Sequence, residues 1–173
     1  MPFGKLVALM GLALALSLDS TRAAEAPAAP PVYGSVWINS PPLQSADLQG
    51  KVVLVEFWTF GCWNCRNVEP HIKQWHSRYA RDGLLIVAVH SPEFPREADV
   101  DNVRRYVREN DLRYAIAVDN DFVTWKRYQN QAWPALYLVD KAGRIRYTQV
   151  GEGAYDETEK TIRSLLAEAR NPS

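Results

Sequence analysis

Residues 51–65 read Lys51-Val52-Val53-Leu54-Val55-Glu56-Phe57-Trp58-Thr59-Phe60-Gly61-Cys62-Trp63-Asn64-Cys65. Lys51 to Trp58 is β-branched, aliphatic or aromatic almost throughout, the composition of a strand buried on both faces. Within a few residues the pattern changes period. From Asn64 to Asp82, Val68, Ile72, Trp75 and Tyr79 recur at helical spacing, while Arg66, Lys73, Arg78 and Arg81 fall off that stripe. Gly83 then reads as a helix stop. Two cysteines thus stand between a buried strand and a helix, at the helix start.

Outward from this unit the alternation continues. Leu84–His90 reads as a second buried strand, followed by a proline-broken loop over Ser91–Pro95 and an amphipathic helix marked by Val100, Val103 and Val107. Arg113–Val118 reads as a third strand and Phe122–Tyr128 as a short helix. Ala135–Val139 and Ile145–Val150 flank Asp140-Lys141-Ala142-Gly143, a hairpin signal. Asp156 is placed to cap a last helix, with Glu159 three residues on and Ile162, Leu165 and Leu166 along one face. The order β-α-β-α-β-α-β-β-α implies an α/β fold, a mixed central sheet with helices on both faces.

The chain has 173 residues, which suits one domain. Twenty basic residues balance twenty acidic ones, with no Lys/Arg run, so nothing favours a nucleic-acid partner. The apolar run Leu6–Leu18 follows Lys5 and is shorter than the roughly 20 residues of a membrane-spanning helix. Thr21 and Ala23 fit a small-x-small cleavage site. Residues 1–23 are therefore expected to be a signal peptide cut near Ala23, giving an exported, periplasmic or envelope protein that meets the membrane only through this leader or a membrane-bound redox partner. An uncleaved anchor is the competing reading, and no cysteine follows the run to carry a lipid. Residues 24–34, with Ala-Pro repeats, are expected to be a flexible linker, and residues 35–170 the folded domain.

Two cysteines cannot build a disulfide framework, so their own position must explain them. A helix start offers unpaired N–H groups and the positive end of the dipole, which stabilise a thiolate. Such motifs lower a thiol pKa from ~8.5 into the range of roughly 3.5 to 7.5. Cys62, at the exposed end, is expected to be the nucleophile and Cys65, one turn inward, the resolving thiol. A purely structural bridge would constrain little, because the loop it closes is so short. Zinc is a further alternative, since His71 and His76 follow closely, but they lie about 140° apart around a helix. His90 is a conceivable additional ligand, although a histidine at a strand end is more often structural or solvent-facing. Pro70 interrupts the amphipathic helix, where it should remove a backbone bond, and Pro134 precedes a strand in Gln131-Ala132-Trp133-Pro134-Ala135.

With these residues placed, the chain resembles the thioredoxin superfamily, and within it exported redoxins of the TlpA and ResA kind. Residues 47–58 look like their entry strand, and Trp58-Thr59-Phe60-Gly61-Cys62-Trp63-Asn64-Cys65 is similar to the thioredoxin-like domain of the cytochrome c biogenesis protein DipZ. The likeness runs from about Ser35 to Ala169. It implies a thioredoxin fold with an N-terminal extension and an inserted βα unit within Leu84–Val118. It implies a redox-active Cys62–Cys65 disulfide, a cis bond at Pro134 facing it, a kink proline at Pro70, and a buried Glu56 serving as base for Cys65. The competing reading of Glu56 is a strand-edge side chain pointing to water. Trp63 and Trp133 are expected to form an apolar substrate rim, with Trp37 a further candidate and Trp58 in the core. Trp63-Asn64 replaces the Gly-Pro of ordinary thioredoxins.

The expected activity is thiol–disulfide exchange with protein substrates and a redox partner protein, in cytochrome c maturation or envelope redox homeostasis, with no metal or organic cofactor. Two alternatives are a thiol peroxidase using Cys62 and a metal-carrying or partner-binding module.

Overall fold

In the computed structural model, which describes Met1 and residues 26–169, the Val52–Trp58 stretch is strand β2, and all seven of its residues are buried. Its position explains its composition. The other strands are β1 (Val36–Ile38), β3 (Leu84–His90), β4 (Ala115–Val118), β5 (Ala135–Val139) and β6 (Ile145–Val150). They form one sheet in the order β1-β4-β3-β2-β5-β6. β2 pairs in parallel with β3 on one side and antiparallel with β5 on the other. A strand enclosed in this way has no polar face to show, hence its near-continuous apolar run. β6, at the sheet edge, alternates half-buried and exposed residues instead.

The helices are α1 (Ser45–Leu48), α2 (Trp63–Tyr79), α3 (Val100–Glu109), α4 (Val123–Arg127) and α5 (Tyr155–Ala167). α2 connects the parallel pair β2–β3, and α3 connects β3–β4. Alternate residues of β2 face opposite layers. Leu54 and Trp58 share a core with Val68, Ile72 and Trp75 of α2, Val103 and Val107 of α3, and Ile162 and Leu165 of α5. Val53, Val55 and Phe57 face a smaller core closed by Tyr128, Trp125, Leu48 and the N-terminal residues Ala29 and Val32. The expected thioredoxin fold with a mixed sheet between helical layers is present, and the unit Leu84–Val118 supplies β3, α3 and β4.

Three local expectations need correction. Residues 26–34 are extended but docked. Pro27 O accepts from Ile145 N and Ala29 N donates to Gly143 O, both at 2.8 Å, and Tyr33 N donates to Thr124 Oγ1 at 2.7 Å. The hairpin end and α4 offer backbone and hydroxyl partners that an Ala/Pro-rich segment fits without bulk. Asp156 does not cap α5. That helix starts at Tyr155 behind Ala154 at φ 49°, and Glu159 accepts from Tyr79 Oη of α2 instead. Trp37 packs with the smaller core, because strand alternation turns it away from Val36 and Ile38. It is not at the sulfurs. The segment 1–23 read as a leader falls outside the described residues apart from Met1, as does residue 170. Among the described residues no helix is long and apolar enough to cross a membrane.

Candidate active site

Cys62 is the N-cap of α2 and is joined to Cys65 by a disulfide, their Cα atoms 5.3 Å apart. The Cys65 backbone N–H donates to Cys62 Sγ at 3.2 Å. One of the helix's orphan donors is therefore aimed at the sulfur that would carry charge after reduction. Cys62 is 9% exposed and Cys65 3%, so an incoming sulfur reaches Cys62 first. Trp63, at the first helical position, is 72% exposed beside them. Pro70 lies inside α2, which nevertheless continues to Tyr79; its missing N–H leaves the carbonyl of Arg66 without the usual helical donor.

The Trp133–Pro134 peptide bond is cis. Pro134 O accepts from Gly151 N at 2.8 Å, and the next residue, Glu152, accepts from Asn67 Nδ2 of α2 at 2.7 Å. The loop after β6 thus ties the proline to the helix that bears the cysteines. Trp133 is half-buried and packs on Trp125 with ring centroids 4.3 Å apart and planes tilted by 40°, and its Nε1 has no partner. Trp58 is buried, edge-on to His90.

Glu56 does not point to water. It shares the face of β2 with Leu54 and Trp58, under α2, and its Oε2 has no hydrogen-bond partner. Burial, reinforced by repulsion from Glu69, raises its carboxyl from the ordinary 4.5 to about 8. A group poised near neutrality inside the core can hold or release a proton under ordinary conditions. Glu69 itself accepts from Tyr106 Oη of α3 at 2.8 Å, and burial followed by that carboxylate pushes the phenol up.

A second polar cluster was not assembled by sequence reasoning. Thr59, His90 and Glu97 are fully buried next to the cysteine loop. Thr59 Oγ1 donates to Glu97 Oε2 at 2.7 Å and lies 3.2 Å from His90 Nε2. The same Glu97 oxygen accepts from Glu93 N at 2.8 Å and Phe94 N at 3.2 Å. Burial lowers the imidazole of His90 to about 4, so it is neutral at pH 7, and Phe60 stacks on it. Gly61 passes so close to Glu97 that a Cβ there would overlap Glu97 Oε1. Arg66 donates twice to Phe60 O, at 3.1 and 3.2 Å, and Cys62 N donates to Thr59 O. His90, considered above as a ligand, is therefore a core residue, and no group of three His, Cys, Asp or Glu side chains that could hold a metal occurs among the described residues. Glu97 ends a single 3-10 turn, Pro95–Glu97, too short for a periodicity to announce it; Thr59, three residues before Cys62, and His90 were the visible hints.

Comparison with known proteins agrees with this geometry. The chain is 40% identical over 137 residues to DipZ of Mycobacterium tuberculosis, covering 78% of this chain and 20% of that protein. It therefore spans about a fifth of the DipZ length. It is 30% identical over 132 residues to the thiol-disulfide oxidoreductase YkuV of Bacillus subtilis, covering 76% of this chain and 88% of the relative. The structure of a thiol-disulfide isomerase from Corynebacterium glutamicum superposes with a TM-score of 0.74 at 27% identity, covering 82% of this chain and 98% of that one. The AhpC/TSA family model matches residues 39–148. With its Cys62–Cys65 disulfide at a helix start and its thioredoxin-like sheet, the chain belongs to the AhpC/TSA family.

Proposed function

We propose that the protein is exported and acts as a reductant of protein disulfides in the cell envelope, with Cys62 as nucleophile, Cys65 as resolving thiol and Glu56 as the base. The observation that carries this reading is the pairing of a helix-capping, more exposed Cys62 with a deeper Cys65 above the buried Glu56. In the reduced protein the Cys62 thiolate attacks one sulfur of a partner disulfide. A mixed disulfide forms and the partner's other sulfur leaves as thiolate. Glu56 in its carboxylate form accepts the proton of Cys65 and becomes the carboxylic acid, and the Cys65 thiolate then attacks Cys62 Sγ. The internal disulfide forms, and the partner leaves with both sulfurs reduced. A redox partner protein returns two electrons and two protons.

Trp133 and Pro134 hold the partner's chain at the disulfide, and Trp63 supplies an apolar contact beside it. Pro70 shapes the helix that carries both cysteines. The relatives named thiol-disulfide oxidoreductases support the exchange chemistry; the leader-like residues 1–23 support export. The substrates include apocytochrome disulfides, or those of other envelope proteins. Cys62→Ser is expected to abolish disulfide reduction, and Cys65→Ser to trap partners as mixed disulfides that mass spectrometry identifies in the envelope fraction. Full turnover by Cys62→Ser, or recovery of the intact chain solely from cytosol, would overturn the proposal.

A further inference from the structure

We infer that the turn Phe94–Glu97 is an electrostatic control on Cys62, in which the buried carboxylate of Glu97 opposes the helix start and holds the nucleophile back from the thiolate form. The inference rests on the exchange role of Cys62. The geometry has three parts. Three donors, Thr59 Oγ1, Glu93 N and Phe94 N, converge on Glu97 Oε2, the arrangement that keeps a buried carboxylate charged. Glu97 Oε1 has no partner and abuts Gly61, the residue before Cys62, where a Cβ could not fit. An anion with one unneutralised oxygen in a solvent-free setting acts strongly on a neighbouring charge. Lastly, Arg96 lies on the same turn, exposed, with Nη2 3.4 Å from where a Gly61 Cβ would stand. A negative and a positive group thus bracket one peptide unit of the active-site loop.

Other charged or titratable groups around the loop do not duplicate this effect. Arg66 of α2 is occupied by Phe60 O. Glu93 is exposed, and His90 of β3 is held neutral by burial. Glu56 of β2 lies under α2, held protonated at pH 7, and Glu69 is bound by Tyr106 of α3 and Lys73. Glu97 is the buried anion against the Gly61–Cys62 segment. It is a positioning residue for the loop, and its charge destabilises the Cys62 thiolate. Because a stabilised thiolate favours the reduced protein, Glu97 makes the protein a better electron donor. The balance is protein disulfide plus two glutathione thiols giving protein dithiol plus one glutathione disulfide.

Glu97→Gln is the decisive variant, because it retains an acceptor oxygen for the three donors and removes the charge. Iodoacetamide alkylation against pH should show the Cys62 thiol more acidic than in the parent protein. The equilibrium constant for reduction by glutathione should rise about tenfold above that thiol's pKa, equivalent to ~30 mV. The difference should vanish at pH values below both thiol pKa values. Arg96→Gln, at an exposed position, should shift the thiol in the opposite direction by a smaller amount. A loosened loop would move both variants the same way. A folded Glu97→Gln with an unchanged or less acidic Cys62 overturns the inference. Should that variant fail to fold, an Arg96→Gln protein with an unchanged or more acidic thiol overturns it alone. Neither readout involves a protein partner, so failure here leaves the proposed exchange with protein partners intact.

Discussion

Two buried carboxylates flank one disulfide, and their surroundings give them opposite duties. Glu56 sits in the central strand with an unpartnered oxygen, and the cost of charging it there raises its carboxyl to about 8. Glu97 sits in a turn, where three donors meet one of its oxygens. The first group is mostly protonated at pH 7, and it is the minor carboxylate fraction that can take a proton. The second is a fixed anion that shapes the loop before Cys62. The residue type is the same at both sites; the donors within reach differ.

Breaking that contrast should be most costly at Glu97. Glu97→Ala leaves one hydroxyl and two backbone N–H donors without their acceptor, and each orphaned buried donor costs about 1–3 kcal/mol. Urea denaturation of the oxidised protein should show a loss on the order of 3 kcal/mol, with most of it recovered in Glu97→Gln. A loss under about 1 kcal/mol would mean that water replaces the carboxylate.

At Glu56 the larger effect is on rate. Glu56→Gln removes the acceptor for the Cys65 proton, and resolution of a preformed mixed disulfide at pH 7 should slow about 10²-fold in stopped-flow measurements, a typical general-base contribution. Stability shows the other side of the same group. The folded-state carboxyl is raised above its unfolded value of 4.5, so its contribution is fully present below pH 4.5 and is lost as pH rises through about 8. Thermal unfolding should therefore show the parent protein losing stability between pH 5 and 9, by up to a few kcal/mol, with Glu56→Gln flattening the profile. The smallest effect belongs to the Asn67–Glu152 contact, which is exposed. Asn67→Ala should cost less than about 1 kcal/mol, and a larger loss of exchange rate than of stability would show that the link to the Pro134 loop matters for substrate positioning.

Much of the architecture was legible in the chain because period and composition report burial directly. Val52–Trp58 is apolar because strands pair on both sides of it, and Val68, Ile72 and Trp75 recur because one face of α2 is covered. Cys62, Cys65 and Pro134 were legible because few residue types perform their tasks. The docking of residues 26–34 was not, since an extended segment without a hydrophobic pattern gives no sign of where its backbone groups will find partners. Trp37 looked like a rim residue until strand pairing turned it to the far side of the sheet. Asp156 matched a capping pattern, yet Glu159 was already engaged by α2.

The sequence by itself determined the α/β class and the strand–Cys-x-x-Cys–helix unit and supports the proposal of Cys62 as attacking sulfur, because each rests on contacts or dipoles within a few residues. The tertiary structure alone decided the chemistry of the surrounding carboxylates. Thr59, His90 and Glu97 come from β2's exit, β3 and the turn before α3, and are joined by sheet pairing and loop closure. Desolvation and donor count depend on that three-dimensional company, so a glutamate's letter in the sequence says nothing of whether it will be a proton acceptor or a fixed charge.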